Sequence, residues 1–268
     1  MTSTMVAVDG GEVWADDSGG DGPALVMLHP GVGDSGIWEA VLGPLAAKYR
    51  VIRYDARGYG ASPTPTVKFS LLTDLIAVLD HFGVERAAFV GCSQGGGSSL
   101  GLALAQPTRV SALVLLCPGI PGFPITREEE AAMIGPEKAA AIDAEFKRTE
   151  AAGDAEGVAA VARQLWGAAG DTPTVLEQTR SAARAWLASI QPEEDPPVFE
   201  RLGEISIPAA LMVGDMDYPP LVAANRQAAA RITGCEFRFV PGMDHFPPLR
   251  EPELVLDLIS RTLARANW

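Results

Sequence analysis

The sequence predicts an α/β fold: a mostly parallel sheet with helices on both faces, an antiparallel hairpin at its N-terminal edge, and a helical insertion before the last strands. Three observations carry this reading. Short runs that are apolar throughout recur between helix-forming stretches, the pattern of strands buried on both faces. The opening "MVAVDGGEVWADD" divides into two strand-like pieces about Asp9-Gly10-Gly11, a turn signal. From Pro118 to about Pro197 the strand-like runs vanish while Ala and Glu rise.

After the hairpin, the buried strands are expected at "ALVMLH" (24–29), "YRVIRYD" (49–55), "RAAFVG" (86–91), "VSALVLLC" (110–117), "IPAALMVG" (207–214) and "CEFRFVPG" (235–242). "LIAVLDHFGVERA" reads as a helix ending before Gly83, where His81 suits the carbonyl end of the helix dipole. Within the insertion, "GPEKAAAIDAEFKRTEAAG" and "TPTVLEQTRSAARAWLASI" have Pro near their starts, as helices do. The expected division is a core of residues 1–118 and 198–268 with a helical cap over 119–197. Loops at the C-terminal ends of parallel strands carry the ligands of such sheets, so an insertion there would roof the site.

The 268 residues fit one domain with a substantial core, and hence one site. Lys and Arg number 21 against 34 Asp and Glu, a net charge of -13, which repels nucleic acid and anionic membranes. Three cysteines, odd in number and without a CxxC pair, suggest neither disulfides nor zinc and point to a reducing cytoplasm. No secretory leader and no apolar run near the roughly 20 residues of a membrane span is visible. Neither a cofactor nor a metal is expected.

The stretch "FVGCSQGGG" (89–97) sets a thiol beside a hydroxyl between glycines, after a strand and before the helix-like "GGSSLGLALAQ". In that context Gly91-Cys92-Ser93-Gln94-Gly95 matches the G-x-S-x-G turn that exposes a nucleophile. A turn this sharp crowds the positions two before and two after its centre, where only small residues fit. Centred on Ser93 those positions are Gly91 and Gly95; centred on Cys92 they would be Val90 and Gln94. The spacing therefore selects Ser93 and leaves Cys92 a supporting place. A glycine turn serving only helix packing or phosphate binding is the competing reading, and neither GxxxxGK[ST] nor GxGxxG is present.

A serine needs a base, and the base needs a third group to orient it. Of three histidines, His81 suits a helix end, and His29 opens the glycine-rich "HPGVGDSG", a loop better suited to offering N–H groups. His245, in "VPGMDHFPPL" after the last strand, remains as the candidate base. Asp244 beside it is read as a surface residue. For the acid, Asp215 and Asp217 both follow "IPAALMVG", and alternation along a strand leaves the two unresolved.

Taken together, the His29 loop, the D-x-R-G-x-G-x-S turn at Asp55–Ser62, the Ser93 elbow, an acid after a G-x-x-D strand end and a late histidine resemble the α/β-hydrolase superfamily. The order Ser, Asp, His is that of the superfamily and spans nearly the whole chain. The resemblance implies Asp217 as the acid, with Asp215 in reserve. It also implies an oxyanion hole from the N–H of Gln94 and of Gly31, with Val32 as a further donor; Pro30 stands where the family usually has Gly. The Asp55–Ser62 turn would support the floor of the site.

Ser93 departs from the Asp nucleophile of related epoxide hydrolases and dehalogenases, and no lysine lies near the expected site, as hydroxynitrile lyases require. "VIRYDARGYGAS" and "VGDMD" resemble the enol-lactone hydrolase and small carboxylesterase branch most. The expectation is a serine hydrolase acting on a small or medium ester or lactone, with Trp38, Trp166, Trp186 and Met216, and also Met133 and Met243, as candidates for an apolar pocket. Cofactor-free haloperoxidase or perhydrolase, carbon–carbon bond hydrolase, and a hydrolase-fold small-molecule binding protein are the alternatives. The partner is then a small molecule, and a homodimer is a permitted state.

Overall fold

A computed structural model describes residues 1–268. Its sheet has eight strands: β1 (Thr2–Val8), β2 (Gly11–Asp17), β3 (Ala24–Leu28), β4 (Arg50–Tyr54), β5 (Ala87–Cys92), β6 (Val110–Leu116), β7 (Ala209–Gly214) and β8 (Glu236–Val240). Their order is β1-β2-β4-β3-β5-β6-β7-β8. β1 and β2 form the antiparallel edge hairpin, with Val8 opposite Gly11 and Gly10 at φ 68° in the turn. β2 also runs antiparallel to β4, and every later pairing is parallel. Every residue of β5, β6 and β7 is buried. Because successive side chains point to opposite faces, a strand buried at every position must be covered on both.

The covering helices are α1 (Glu39–Ala46), α2 (Leu71–His81), α3 (Gln94–Ala105), α8 (Pro219–Arg231), the single turn α9 (Pro247–Arg250) and α10 (Pro252–Leu263). α1 packs with α10, and α2 with α3, as two sets against the sheet. No helix is long and apolar enough to cross a membrane.

Four helices fill the segment between β6 and β7: α4 (Arg127–Ile134), α5 (Pro136–Ala151), α6 (Ala155–Trp166) and α7 (Pro173–Trp186). α5 and α7 fall where the sequence indicates helix. α4 and α6 were not indicated, yet each has a start signal. Thr126 and Glu129 make a reciprocal capping box before α4, and Asp154 caps the Gly157 N–H of α6.

Only two non-glycine residues have positive φ: Ser93 at 49° and Cys117 at 39°. They sit just past the ends of the adjacent strands β5 and β6, where the Ser93 N–H donates to Leu116 O at 2.9 Å. Backbone held in this region is strained and clusters at functional sites.

Candidate active site

The glycines around Ser93 have the steric duty that the spacing implied. A Cβ on Gly91 would lie 2.4 Å from Gly95 O, and one on Gly95 would lie 2.3 Å from Leu28 O. No side chain fits at either place, so the bend exists only with glycine there. Ser93 stands at the N-terminus of α3, partly exposed, while Cys92 is fully buried with its Sγ 3.7 Å from that of Cys117.

Asp217, not Asp215, meets His245. Both Asp217 carboxylate oxygens lie 2.9 Å from His245 Nδ1, and the Tyr218 N–H donates to Asp217 Oδ1 at 2.7 Å. Asp215 is exposed and accepts the Gly242 N–H at 2.6 Å instead. The turn between them depends on Gly214, whose Cβ would overlap the backbone of Met243. With Nδ1 facing a carboxylate, the proton sits there, and Nε2 presents its lone pair. Nε2 is buried and without a partner, so it is not hydrogen-bonded to Ser93. Such contacts are often loose before substrate binds.

On the other side, His29 organises the loop that follows β3. The Ala56 N–H donates to His29 Nε2 at 2.9 Å, which makes Nε2 the acceptor and puts the ring proton on Nδ1. Nδ1–H then donates to Pro30 O at 2.8 Å and fixes the Pro30–Gly31 peptide. The next carbonyl, Gly31 O, receives Trp186 Nε1–H at 2.7 Å and Tyr59 O–H at 3.2 Å. Burial pushes the Tyr59 phenol up to about 12, so it remains a donor. Neither Gly31 nor Val32 N–H has an acceptor. Gln94 N–H, first in α3, has none within its helix.

Two polar clusters escaped the sequence reading. Asp34 accepts from Gln178 Nε2 at 2.9 Å and from Ser181 Oγ at 2.5 Å, and its own N–H donates to Gln178 Oε1. Burial alone would push the Asp34 carboxyl up. Hydrogen bonds from Ser181, Gln178 and the Gly36 amide outweigh it and hold the group below its ordinary value. The second cluster corrects an expectation: Asp244 is 0% exposed, not a surface residue. The loop turns rather than running extended, so Asp244 accepts the Phe246 N–H ahead of α9 and pairs with Arg250 at 2.6 Å. It also accepts the Ala169 N–H from the insertion at 3.0 Å.

The pocket candidates scatter. Trp38 is 0% exposed among the core residues, and Met243 is buried as well. Trp186 lines a cavity of about 630 Å³ with Tyr59, Phe69, Gln94, Phe146 and Ile190. Met133 and Met216 line another, of about 290 Å³, that reaches Asp217. Trp166 stacks on the His245 ring, centroids 4.4 Å apart. Donor atoms of Cys117, Asp217 and His245 lie within 4.8 Å of one another. Burial pushes the Cys117 thiol up, and both Asp217 oxygens are already engaged by His245 Nδ1.

Comparison with known proteins gives this geometry a lineage. A curated relative, 3-oxoadipate enol-lactonase 2 of Acinetobacter baylyi, is 26% identical over 98% of this chain and 97% of its own. The solved structure of an N-acyl homoserine lactone degrading enzyme is 27% identical, with TM-score 0.67 and coverage of 96% and 99%. A carboxylesterase structure from Bacillus subtilis has TM-score 0.76 at 21% identity, over 98% of this chain and 91% of its own, a likeness of fold. The model of the alpha/beta hydrolase family matches residues 25–258, and the chain belongs to that family.

Proposed function

We propose that the protein is a serine hydrolase that cleaves a small or medium carboxylic ester or lactone through an acyl-enzyme on Ser93. The observation that supports this most is the buried His245: Asp217 engages Nδ1 with both oxygens, which leaves Nε2 free to take a proton. In the proposed reaction Nε2 removes the Ser93 hydroxyl proton as Oγ attacks the substrate carbonyl. The N–H groups of Gln94 and Gly31 hold the developing oxyanion, each such donor contributing about 2.7–4 kcal/mol in a characterised case. His245 then returns the proton to the leaving alkoxide. For a lactone that alkoxide stays tethered to the acyl group. Water, deprotonated by Nε2, attacks the acyl carbon, and Ser93 leaves with the proton.

The 630 Å³ cavity beside Gln94 falls in the range of small-molecule sites and offers room for such a substrate. The helical insertion over 119–197 would act as its cap. The relatives, an enol-lactonase and a lactone-degrading enzyme, support the substrate class.

The test is labelling with a fluorophosphonate together with turnover of p-nitrophenyl esters and simple lactones. Label on the Ser93 peptide, and loss of both label and turnover in Ser93→Ala, is the expected result. A folded wild-type protein that takes no label and cleaves no ester or lactone would remove the proposal and favour a binding role.

A further inference from the structure

The indole of Trp166 lies against the imidazole of His245, with ring centroids 4.4 Å apart and planes inclined by 36°. The two residues belong to different parts of the chain. Trp166 ends α6 in the insertion, while His245 follows β8. Three further hydrogen bonds tie these segments together. His245 N–H donates to Trp166 O at 3.1 Å, and Ala169 N–H donates to the Asp244 carboxylate at 3.0 Å. Arg250 donates to Gly170 O at 2.6 Å and pairs with Asp244 at 2.6 Å. Tyr218 also contacts Trp166, with ring centroids 5.0 Å apart, and its N–H holds Asp217.

An aromatic filling space in a core has no need of this placement. Trp166 is itself only partly buried, yet the histidine under it is 0% exposed. Its face lies against the ring on which positive charge would develop, a favourable arrangement for an aromatic face and a cation.

We infer that Trp166 is a positioning residue for His245: the last turn of α6 holds the imidazole against Asp217 and covers it, so that the insertion helps to assemble the base. The inference rests on the reading of His245 as the base. Loss of the indole then leaves Asp217 in place but lets the ring tilt. Misplacing a catalytic group by about an ångström can lower the rate by about a hundredfold.

Two measurements test this, one of them independent of any substrate. An imidazolium in contact with an indole quenches its fluorescence, whereas the neutral ring does so far less. The remaining histidines are not stacked on tryptophan: His29 faces Tyr59 and His81 faces Phe82. The groups around His245 are Asp217 at Nδ1, the Cys117 thiol 3.6 Å from its carbonyl, Tyr218 bonded to Glu130, and Asp244 paired with Arg250. The difference in emission between wild type and Trp166→Phe isolates Trp166 and should fall in a single step on acidification. His245→Ala should abolish that step. In ester hydrolysis, Trp166→Ala should lower kcat by about ten- to a hundredfold with KM little changed, and Trp166→Phe, which keeps an aromatic face, should recover most of it.

A flat difference emission, or a Trp166→Ala protein with wild-type kcat, overturns the inference. If Trp166→Ala fails to fold, the emission of wild type, Trp166→Phe and His245→Ala still decides. A quenching step in a protein that hydrolyses nothing supports the contact and counts against the hydrolase reading; hydrolysis without the step does the reverse.

Discussion

The two aspartates after β7 are the sharpest residue-scale test, because they are two positions apart and differ in everything but chemistry. Asp217 is buried and spends both oxygens on His245, whereas Asp215 is exposed and accepts one backbone N–H. Asp217→Asn should lower kcat by a factor on the order of 10⁴, as loss of tautomer control does in a well-studied triad. Asp215→Asn should change kcat little, as surface substitutions change stability by only about 0.5 kcal/mol. Steady-state ester kinetics on the two proteins check this, and comparable losses would mean that the acid is misassigned. Ser93 was legible because a steric rule applied: the backbone at Gly91 and Gly95 leaves no room for a Cβ, and only one centring of the motif meets that demand. Alternation along a strand could not separate Asp215 from Asp217, because β7 ends at Gly214 and the alternation ends with it. Asp244 was misread for a related reason. Its burial depends on Arg250 and on Ala169, and the latter is 75 residues away in sequence.

At the scale of elements, the insertion is fastened to the core at a few polar points, among them Asp34 against Gln178 and Ser181 of α7. No periodicity could have joined them, since Asp34 reads locally as the cap of the short turn beginning at Ser35, a role it also fills. The helices α4 and α6 were legible in principle through their caps but lack the long apolar stripe that draws attention. α4 buries no residue at all. Asp34→Ala should destabilise the protein by about 1.5–3 kcal/mol, the range for hydrogen bonds to a charged group, measured as a lower melting temperature and faster proteolysis within α7. The pH dependence has a definite sign. A carboxylate held below its ordinary value in the folded state contributes fully above that value, 3.8, and the contribution is lost as the pH falls through the depressed folded value. The stability gap between wild type and Asp34→Ala should therefore persist at neutral pH and close only in acid below 3.8. A gap that closes between neutrality and mildly acidic pH would mean that another group carries the latch.

Across the whole molecule, stability is unevenly shared between the sheet and the insertion. The central strands β5, β6 and β7 are buried at every position and belong to one continuous apolar core that also takes in Val175, Ala182 and Ala185 of α7. The rest of the insertion has little of its own: a satellite cluster of Val158, Ala159 and Ala183, and in α5 only Ile142 and Thr149 buried. Surface pairs such as Lys147 with Asp143 add little, since exposed ion pairs contribute about 0–1 kcal/mol. Elements with few buried contacts open at free energies well below that of global unfolding. Amide hydrogen exchange should therefore rank the molecule: α4 and α5 fastest among the helices, α7 intermediate because it shares the main core, and the central strands slowest. A bound substrate analogue should slow exchange in α6 and α7, whose tryptophans touch His245 and Gly31, more than in α4. Uniform protection of α4, α5 and the central strands would show instead that the insertion and sheet open as one cooperative unit, and that access to Ser93 does not depend on local opening of the insertion.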